Sequence, residues 1–340
     1  PVDYHNKISL FLAGSHSPIY LEPMSETTGW TEQDIPEQTG KVIIVTGGNS
    51  GIGYETVRIL AQRGAHVILA ARNAIKGNEA VNEILSEDPS ANVETQPLDL
   101  ADLSSIHEFA SSFKERGIPL HTLINNAGIM AVPKGTTVDG FELQFGVNHL
   151  GHFALTGLLI ESLVAQSGGR VVNVASNAHR QGRLNFYDLQ SNHRYGRMRA
   201  YAQSKLANLV FTAELDRRLH RAGRTETLSV AAHPGMAHSN IGSNLNSESY
   251  FDRLFEKSLK ALGPYFVQST LSGAVPTLRA ATDPSATGGD YFGPSERMQT
   301  RGSAVKVQAK KAAYDVHDGR ALWEQSVELT GIDFSDLNQS

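Results

Sequence analysis

The chain has 340 residues, of which 40% are hydrophobic and 19% are charged, and its formal net charge is −5. This composition is typical of a globular protein, and the negative balance gives no reason to expect nucleic acid or an anionic membrane as the main partner. The absence of cysteine excludes disulfides, thiolate metal sites and cysteine nucleophiles. No apolar run reaches the roughly 18 residues of a membrane-spanning helix, so we expect a cytoplasmic protein.

The first 39 residues show no regular periodicity. They contain Pro18, Pro23 and Pro36, and aromatic side chains are spaced among polar residues. The aromatic content argues against a purely disordered segment. We therefore predict that residues 1–39 form an extended arm that lies across the globular body or a partner subunit, with a flexible tail as the alternative.

From Gly40 onward, short apolar runs alternate with helical patterns. Repeated strand–helix units with apolar strands predict a single α/β domain whose doubly wound, seven-stranded parallel sheet is covered by helices on both faces. We expect the domain to span residues 40–300 and a helical tail to follow at 301–340. The predicted strands are residues 42–45, 66–71, 92–97, 120–124, 170–175, 227–232 and 290–292. Helices are predicted at 75–85, 102–114, 139–165 and 201–220, in addition to one directly after the first strand.

A glycine-rich turn connects the first strand to the first helix and reads TGGNSGIG at residues 46–53. A strand, a glycine turn and a helix in this order present backbone N–H groups to a phosphate at the helix N-terminus. Gly47 allows a tight turn, Gly51 leaves room for a pyrophosphate, and Gly53 lets the helix approach the strand closely. Because a glycine cluster alone is a weak signal, an ordinary loop is the alternative.

Polar residues or turn residues stand at the carboxyl ends of the other predicted strands. In an open parallel sheet these ends form one edge, and ligands bind there near the switch in strand order. We therefore expect one crevice to be lined by Thr46, Arg72, Asp99, Asn125, Ser176 and Pro234.

Five motifs occur in order along the chain: the glycine turn, NNAG at 125–128, Ser176 after a strand, YAQSK at 201–205, and Pro234 with Gly235. Together they resemble the short-chain dehydrogenase/reductase family, over about residues 40–293. The stretches VNHLGHF at 147–153, SKLAN at 204–208 and HPG at 233–235 are most similar to its retinol-dehydrogenase-like branch. The resemblance implies a Rossmann-type fold and an oxidoreductase that uses a nicotinamide cofactor.

The residue types in these motifs suit hydride transfer to or from a carbonyl. Tyr201 and Lys205 are four residues apart on a predicted helix and share a face. A nearby ammonium favours the phenolate, so we expect Lys205 to lower the pKa of Tyr201, which can then act as acid or base. Ser176 can hydrogen-bond to the same substrate oxygen, and the resemblance implies that Asn148 supports a water that relays protons to Lys205. The alternative for Tyr201 is a core tyrosine with a satisfied hydroxyl.

The choice of cofactor depends on the end of the second strand, where Arg72 stands instead of an acidic residue. A guanidinium there can pair with a 2′-phosphate, which predicts NADP(H); the alternative is a solvated loop charge. The resemblance implies that Asp99 meets the adenine and that Ser239 contacts the nicotinamide amide. The predicted cofactor-binding residues are Thr46, Gly47, Asn49, Ser50, Gly51, Ile52, Gly53, Arg72, Asn73, Asp99, Leu100, Asn126, Ala127, Gly128, Tyr201, Lys205, Pro234, Gly235 and Ser239.

Two stretches are candidates for the substrate side, namely the 24 residues between Ser176 and Tyr201 and the segment at about 236–268. An apolar stripe at 251–262 predicts a lid helix over the active site, with a helix that contacts a membrane surface as the alternative. Either interpretation favours an apolar alcohol, aldehyde or ketone. His149 and His152 are three residues apart, but no further ligand stands at a suitable spacing, so no metal site is predicted.

The sequence therefore favours an NADP(H)-dependent short-chain oxidoreductase that interconverts a lipophilic alcohol and its aldehyde or ketone, working as a reductase in the cell. One alternative is a relative of light-dependent protochlorophyllide reductase, and another is a non-catalytic NADP-sensing regulator on the same fold. The resemblance also leaves open a homodimer formed through the helices that carry Asn148 and Tyr201.

Overall fold

The computed structural model describes residues 29–236, 269–296 and 298–337. These residues form one sheet of eight strands in the order β3-β2-β1-β4-β5-β6-β7-β8. The first seven strands are parallel, and β8 runs antiparallel to β7. The strands are β1 Val42–Thr46, β2 His66–Ala71, β3 Val93–Pro97, β4 Thr122–Asn125, β5 Arg170–Val174, β6 Leu228–Ala232, β7 Tyr291–Glu296 and β8 Arg301–Lys306.

Helices cover both faces of this sheet, because alternate residues of each strand point to opposite sides. Ile43 and Val45 contribute to the core beneath the helices at 51–62, 74–87 and 270–282, whereas Val42 and Ile44 contribute to the core beneath those at 103–115, 151–164 and 197–221. The doubly wound α/β fold predicted from the alternating pattern is therefore confirmed. The helices are α1 Gly51–Gln62, α2 Ala74–Glu87, α3 Leu103–Glu115, α4 Gly151–Val164, α5 Arg197–Arg221, α6 Thr270–Thr282 and α7 Val316–Thr330.

The strand order reverses at the centre of the sheet, where β1 pairs with both β2 and β4. Ile43 lies opposite Val67 on one side and Thr122 on the other. A crevice opens at such a reversal, at the carboxyl ends of the strands. The glycine turn after β1 and the NNAG loop that begins at the end of β4 meet at this point.

The sheet has eight strands rather than the predicted seven. The additional strand, β8, lies at the start of the segment 301–340, which was expected to be helical. Its sequence RGSAVK has little apolar character, and only Ala304 in it is fully buried, so no periodicity marks it. Pairing with β7 and an antiparallel bridge between Trp30 and Ala304 stabilise it, and both are contacts distant in sequence.

The described part of the predicted arm packs on the globular body. Besides the bridge made by Trp30, Ile35 is buried in the core beneath α1 and α2. Residues 1–28 lie outside the described residues, as do the predicted lid from residue 237 onward and Ser239. Among the helices that the structure describes, none is long and apolar enough to cross a membrane.

The long helix predicted at 139–165 begins later, at Leu143. The Glu142 carboxylate accepts hydrogen bonds from the backbone N–H groups of Gln144 and Phe145, at 2.9 and 2.7 Å, and so caps the first turn. A π-helical segment, Gly146–Leu150, then precedes α4. Such widened turns are frequent at functional sites, and this one carries Asn148.

Helix α7 and the residues that follow it cover the outer sides of α4 and α5. Trp323 and Phe334 have ring centroids 4.5 Å apart, and they pack on Phe153 of α4 and Phe211 of α5. The Ser326 hydroxyl also lies 2.9 Å from His149 Nε2. The C-terminal part of the chain therefore covers helix faces that the sequence analysis considered for contact with a partner subunit.

Candidate active site and dinucleotide site

The glycine turn leaves the first turn of α1 without a side-chain cap. Gly47 and Gly51 have φ values of +65° and +57°, which favour glycine, and Ser50 makes no capping hydrogen bond. A Cβ atom on Gly53 would lie 2.3 Å from the Gly47 carbonyl oxygen. The sequence therefore folds as predicted here, and the uncapped N–H groups at the start of this 12-residue helix suit a phosphate.

The Thr46 hydroxyl fastens the NNAG loop to this turn. Its oxygen accepts hydrogen bonds from the backbone N–H groups of Asn126 and Ala127, both at 2.9 Å. The Asn126 amide donates in return to the Thr46 carbonyl oxygen at 2.8 Å. Because Thr46 is fully buried, we assign its hydroxyl to positioning the loop beside the dinucleotide site.

His152 connects the same hydroxyl to the segment that carries Asn148. Its Nδ1 lies 3.1 Å from the Asn148 carbonyl oxygen, so Nδ1 donates, and Nε2 accepts from the Thr46 hydroxyl at 2.9 Å. Burial lowers the pKa of His152 to about 4, so the ring is neutral and holds this tautomer. The role of His152 was not predicted, because the spacing of three residues from His149 indicated a packed helix face and, as the rejected alternative, a shared metal. The two rings in fact bind different partners.

The four predicted catalytic residues come together at the carboxyl ends of β4 and β5. Asn148 Oδ1 accepts from the backbone N–H of Ile129 at 2.8 Å, and its Nδ2 donates to the Ser204 hydroxyl at 2.9 Å. Lys205 Nζ donates to the Val174 carbonyl oxygen at 3.0 Å, two residues before Ser176. The side chains of Tyr201 and Ser176 are hydrogen-bonded, and Lys205 Nζ lies 5.9 Å from the Tyr201 ring centroid.

Gly128 links this group to the dinucleotide site. A Cβ atom added to Gly128 would lie 3.2 Å from Asn148 Oδ1 and 3.3 Å from Lys205 Nζ. Gly128 ends the NNAG loop that Thr46 holds against the glycine turn. The tyrosine and lysine therefore stand next to the crevice rather than in a remote part of the core.

Burial dominates the electrostatics of this pair. It lowers the pKa of Lys205 to about 8, and it raises the pKa of Tyr201 above its ordinary value, with the hydrogen bond to Ser176 acting in the opposite direction. The net shift of the Tyr201 pKa is therefore upward, opposite to the direction expected from the neighbouring ammonium, because burial outweighs it. The phenol is consequently protonated at neutral pH, as a proton donor must be.

The predicted adenosine contacts lie at the ends of β2 and β3, which are neighbours in the sheet. Arg72 is exposed and has no hydrogen-bond or ion-pair partner among the described residues, so its guanidinium is available to a ligand. Asn73 caps α2 by accepting from the Lys76 backbone N–H at 3.0 Å. Asp99 Oδ1 accepts from the Ala101 N–H at 2.9 Å, which orients its carboxylate. Leu100 follows β3, whereas Asn49 and Ile52 lie after β1, in the glycine turn and the first turn of α1.

The loop after β6 reaches the same edge. Gly235 has φ +67°, and a Cβ atom there would lie 2.4 Å from the Thr300 carbonyl oxygen. Only glycine fits this approach of the turn between β7 and β8. Because β5 and β6 are neighbours, with Val174 opposite Ala232, Pro234 and Gly235 leave the sheet beside the segment that carries Ser176, and the described loop ends at Met236.

The stretch between Ser176 and Tyr201 is fastened by Tyr195 and Gln144. The Tyr195 hydroxyl donates to the Val132 carbonyl oxygen at 2.7 Å and accepts from Gln144 Nε2 at 2.9 Å. Gln144 Oε1 accepts from the Ala131 N–H at 2.8 Å. These bonds attach the stretch to the loop after β4.

Replacing Tyr195 by phenylalanine is expected to lower the free energy of unfolding by about 1–2 kcal/mol, because the Val132 carbonyl and the Gln144 amide both lose a partner. Chemical denaturation measures this change. Tyr187→Phe is the matched control, since the Tyr187 side chain is 99% exposed and its hydroxyl is solvated. Equal free energies of unfolding for the two variants would contradict the role of Tyr195 in attaching this stretch to the loop after β4.

The comparisons with known proteins agree with this geometry. The sequence profile of the short chain dehydrogenase family matches residues 41–249. The chain therefore belongs to the short-chain dehydrogenase/reductase family, and within it to the retinol-dehydrogenase-like branch.

Three similar proteins illustrate its position in this family. Retinol dehydrogenase 12 of Mus musculus is 44% identical over 295 residues, which cover 86% of this chain and 87% of that protein. Human polyprenol dehydrogenase is 38% identical over 310 residues, covering 89% of each chain. The crystal structure of an uncharacterized protein from Mycobacterium paratuberculosis is 41% identical, with a TM-score of 0.73, and covers 90% of this chain and 99% of that one. The chain is thus an oxidoreductase related to enzymes that are named for alcohol substrates.

Proposed function

We propose that this protein is an NADP(H)-dependent oxidoreductase that interconverts a lipophilic alcohol and its aldehyde or ketone, and that it works as a reductase in the cell. The observation that carries the proposal is the buried Tyr201–Lys205 pair beside Gly128, in the loop held against the glycine turn. A core tyrosine with a merely structural hydroxyl has no need of a buried lysine on the same helix face. The cytoplasmic location expected from the sequence remains a prediction.

Each catalytic candidate has a separate role in this proposal. Tyr201 donates a proton to the carbonyl oxygen during reduction, and its phenol is protonated at neutral pH because burial raises its pKa. Ser176, which already hydrogen-bonds to Tyr201, orients the same oxygen. The Lys205 ammonium stabilises negative charge on the phenol after proton transfer. Asn148 holds the π-helical segment beside Lys205 and supports the water through which the lysine is reprotonated.

The residues at the crevice suit a phosphorylated dinucleotide. The uncapped start of α1 can bind the pyrophosphate, and the unpaired Arg72 guanidinium can bind a 2′-phosphate. When bound, the cofactor supplies or accepts the hydride. NADP(H) is further supported by a related structure, described as an NAD(P)-dependent gluconate 5-dehydrogenase from Beutenbergia cavernae with bound NADP, which is 25% identical with a TM-score of 0.57.

A lipophilic substrate is proposed from the relatives and from the composition of the substrate side. The relatives include enzymes named for retinol and polyprenol, both of which are long apolar alcohols. In this chain Leu184 and Phe186 pack against the core next to α5, in the stretch between Ser176 and Tyr201. The role of residues 237–268 as a lid or a membrane contact lies outside the described residues.

Assays of NADPH oxidation with aliphatic, aromatic and retinoid aldehydes test this function directly. We expect turnover with apolar aldehydes and a lower KM for longer ones. A protein that binds NADPH but reduces none of these aldehydes would favour the NADP-sensing regulator instead.

The reductase is expected to lose activity as the pH rises above about 8. The pKa of Lys205 is lowered to about 8, so above this pH the amine is increasingly neutral and no longer stabilises the phenolate. Measurement of kcat/KM for an aldehyde between neutral and alkaline pH checks the decline. In Lys205→Arg the guanidinium stays charged, and the residual activity should lack this decline. An unchanged decline in that variant would assign the titration to another group.

We expect the protein to be monomeric in solution, because α7 and Phe334 fill the outer faces of α4 and α5. Those are the helices through which a homodimer was considered. Light scattering on a size-exclusion column should give a mass near 36.8 kDa. Twice that mass at micromolar concentration would contradict the expectation.

A further inference from the structure

The turn that joins β7 to β8 reaches across the edge of the sheet to the candidate active site. Its Thr300 carbonyl oxygen accepts from the backbone N–H of Met236 at 2.8 Å, two residues after Pro234. On the other side, the side-chain amide of Asn177 donates to the Gln299 carbonyl oxygen at 2.8 Å. Asn177 directly follows Ser176. The turn therefore lies between the segment that carries Ser176 and the Pro-Gly segment.

The backbone of this turn adopts a conformation that non-glycine residues rarely take. Met298 and Gln299 have φ values of +56° and +64°. The left-handed region costs such residues roughly 1 kcal/mol each, and two adjacent residues of this kind are typical of tight turns between antiparallel strands. The hydrogen bonds from Asn177 and Met236 hold the turn in this shape, together with one from Arg180 Nη2 to Gln299 Oε1 at 3.1 Å.

The side chains of the two residues have different surroundings. The Gln299 side chain turns back towards Arg180, in the short helix that follows Ser176. Met298 is 86% exposed, although it is a large apolar residue. A flexible thioether at the rim of a site adapts to apolar ligands of different shape.

We infer that Met298 is a specificity-determining residue, which contacts the apolar tail of the substrate at the mouth of the active site. This inference rests on the proposed function. Asn177 and Gln299 act as positioning residues, because they fix the turn relative to Ser176. From the reacting carbonyl, the apolar tail of the substrate runs past the turn between β7 and β8. There it covers the Met298 side chain, which is otherwise exposed to water.

The decisive variant is Met298→Gly, measured on the full chain with NADPH and with butanal, octanal and dodecanal. Glycine accepts the positive φ without strain, so the variant removes the side chain and keeps the turn. We expect KM for dodecanal to rise roughly five- to tenfold at unchanged kcat, and the kinetics with butanal to change less than about twofold. Met298→Leu keeps an apolar side chain and should retain most of the affinity for dodecanal. Val138→Ala is the control, because Val138 is also exposed, at 77%.

The outcomes separate the inference from the function on which it rests. An equal loss for butanal and dodecanal, or no change for either, would overturn the role of Met298 while leaving the reductase assignment intact. A lower thermal midpoint in Met298→Gly together with a uniform loss would show a purely structural residue. If the unmodified protein reduces none of the three aldehydes, the proposed function fails, and the inference fails with it.

Discussion

Replacing Tyr201 by phenylalanine is expected to lower kcat for aldehyde reduction by roughly 10²- to 10⁴-fold, which is the contribution typical of a positioned general acid. The phenol is the group hydrogen-bonded to Ser176, and its ring lies 5.9 Å from the Lys205 ammonium. The variant removes one oxygen atom and leaves a ring that fills the same buried space. The Kd for NADPH should therefore change by less than about threefold. Discontinuous assays with excess enzyme can measure the low residual rate of aldehyde reduction.

Tyr187→Phe is the matched control for this experiment. It removes the same atom from a side chain that is 99% exposed, also on the substrate side of the chain. We expect its kcat to stay within about twofold of the unmodified protein, because a solvated hydroxyl makes no contribution that water does not replace. A Tyr201→Phe variant that keeps more than about a tenth of the activity would remove the phenol from the mechanism and favour a different proton donor.

The fold was predictable wherever burial leaves a pattern in the sequence. Strands β1 and β2 are apolar runs over nearly their whole length because both of their faces are covered, and such runs are visible without coordinates. Strand β8 is an edge strand with one fully buried residue, and its pairing depends on β7 and on Trp30, far away in sequence. Contacts of that kind leave no local periodicity, which is why the segment was assigned to a helical tail.

As in the fold, some features of the site follow from residues close together in the sequence, and others depend on tertiary contacts. The glycine turn and the spacing of Tyr201 and Lys205 are local features, and the predicted geometry follows from them. The function of His152 as a link between Thr46 and Asn148 depends on a hydrogen bond between residues 106 positions apart in the sequence, and no spacing rule reveals it. The pKa of Tyr201 was likewise expected to fall, since the sequence shows a neighbouring ammonium but not the depth of burial that raises it.

If the protein uses NADP(H) through Arg72, replacing Arg72 by aspartate is expected to reverse its preference for NADPH over NADH. Losing a charged hydrogen bond to a 2′-phosphate costs about 1.5–3 kcal/mol, and the new carboxylate repels the phosphate while it can accept from a ribose 2′-hydroxyl. The ratio of kcat/KM with NADPH to that with NADH should therefore fall by roughly 10²- to 10³-fold, with no change in which aldehydes are reduced. The neighbouring Asn73 keeps its side-chain oxygen as the cap of α2 in this variant.

Arg320→Asp makes the same change of charge at an exposed position on α7, remote from the ends of β2 and β3, and controls for the altered net charge of the protein. Its preference for NADPH should equal that of the unmodified protein within about twofold, since screening by salt weakens the influence of a distant surface charge. A substantial fall in the ratio for Arg72→Asp but not for Arg320→Asp assigns the recognition of the 2′-phosphate to Arg72. An unchanged ratio in Arg72→Asp would show that the guanidinium is only a solvated loop charge, and the cofactor assignment would then have to rest on residues elsewhere in the crevice.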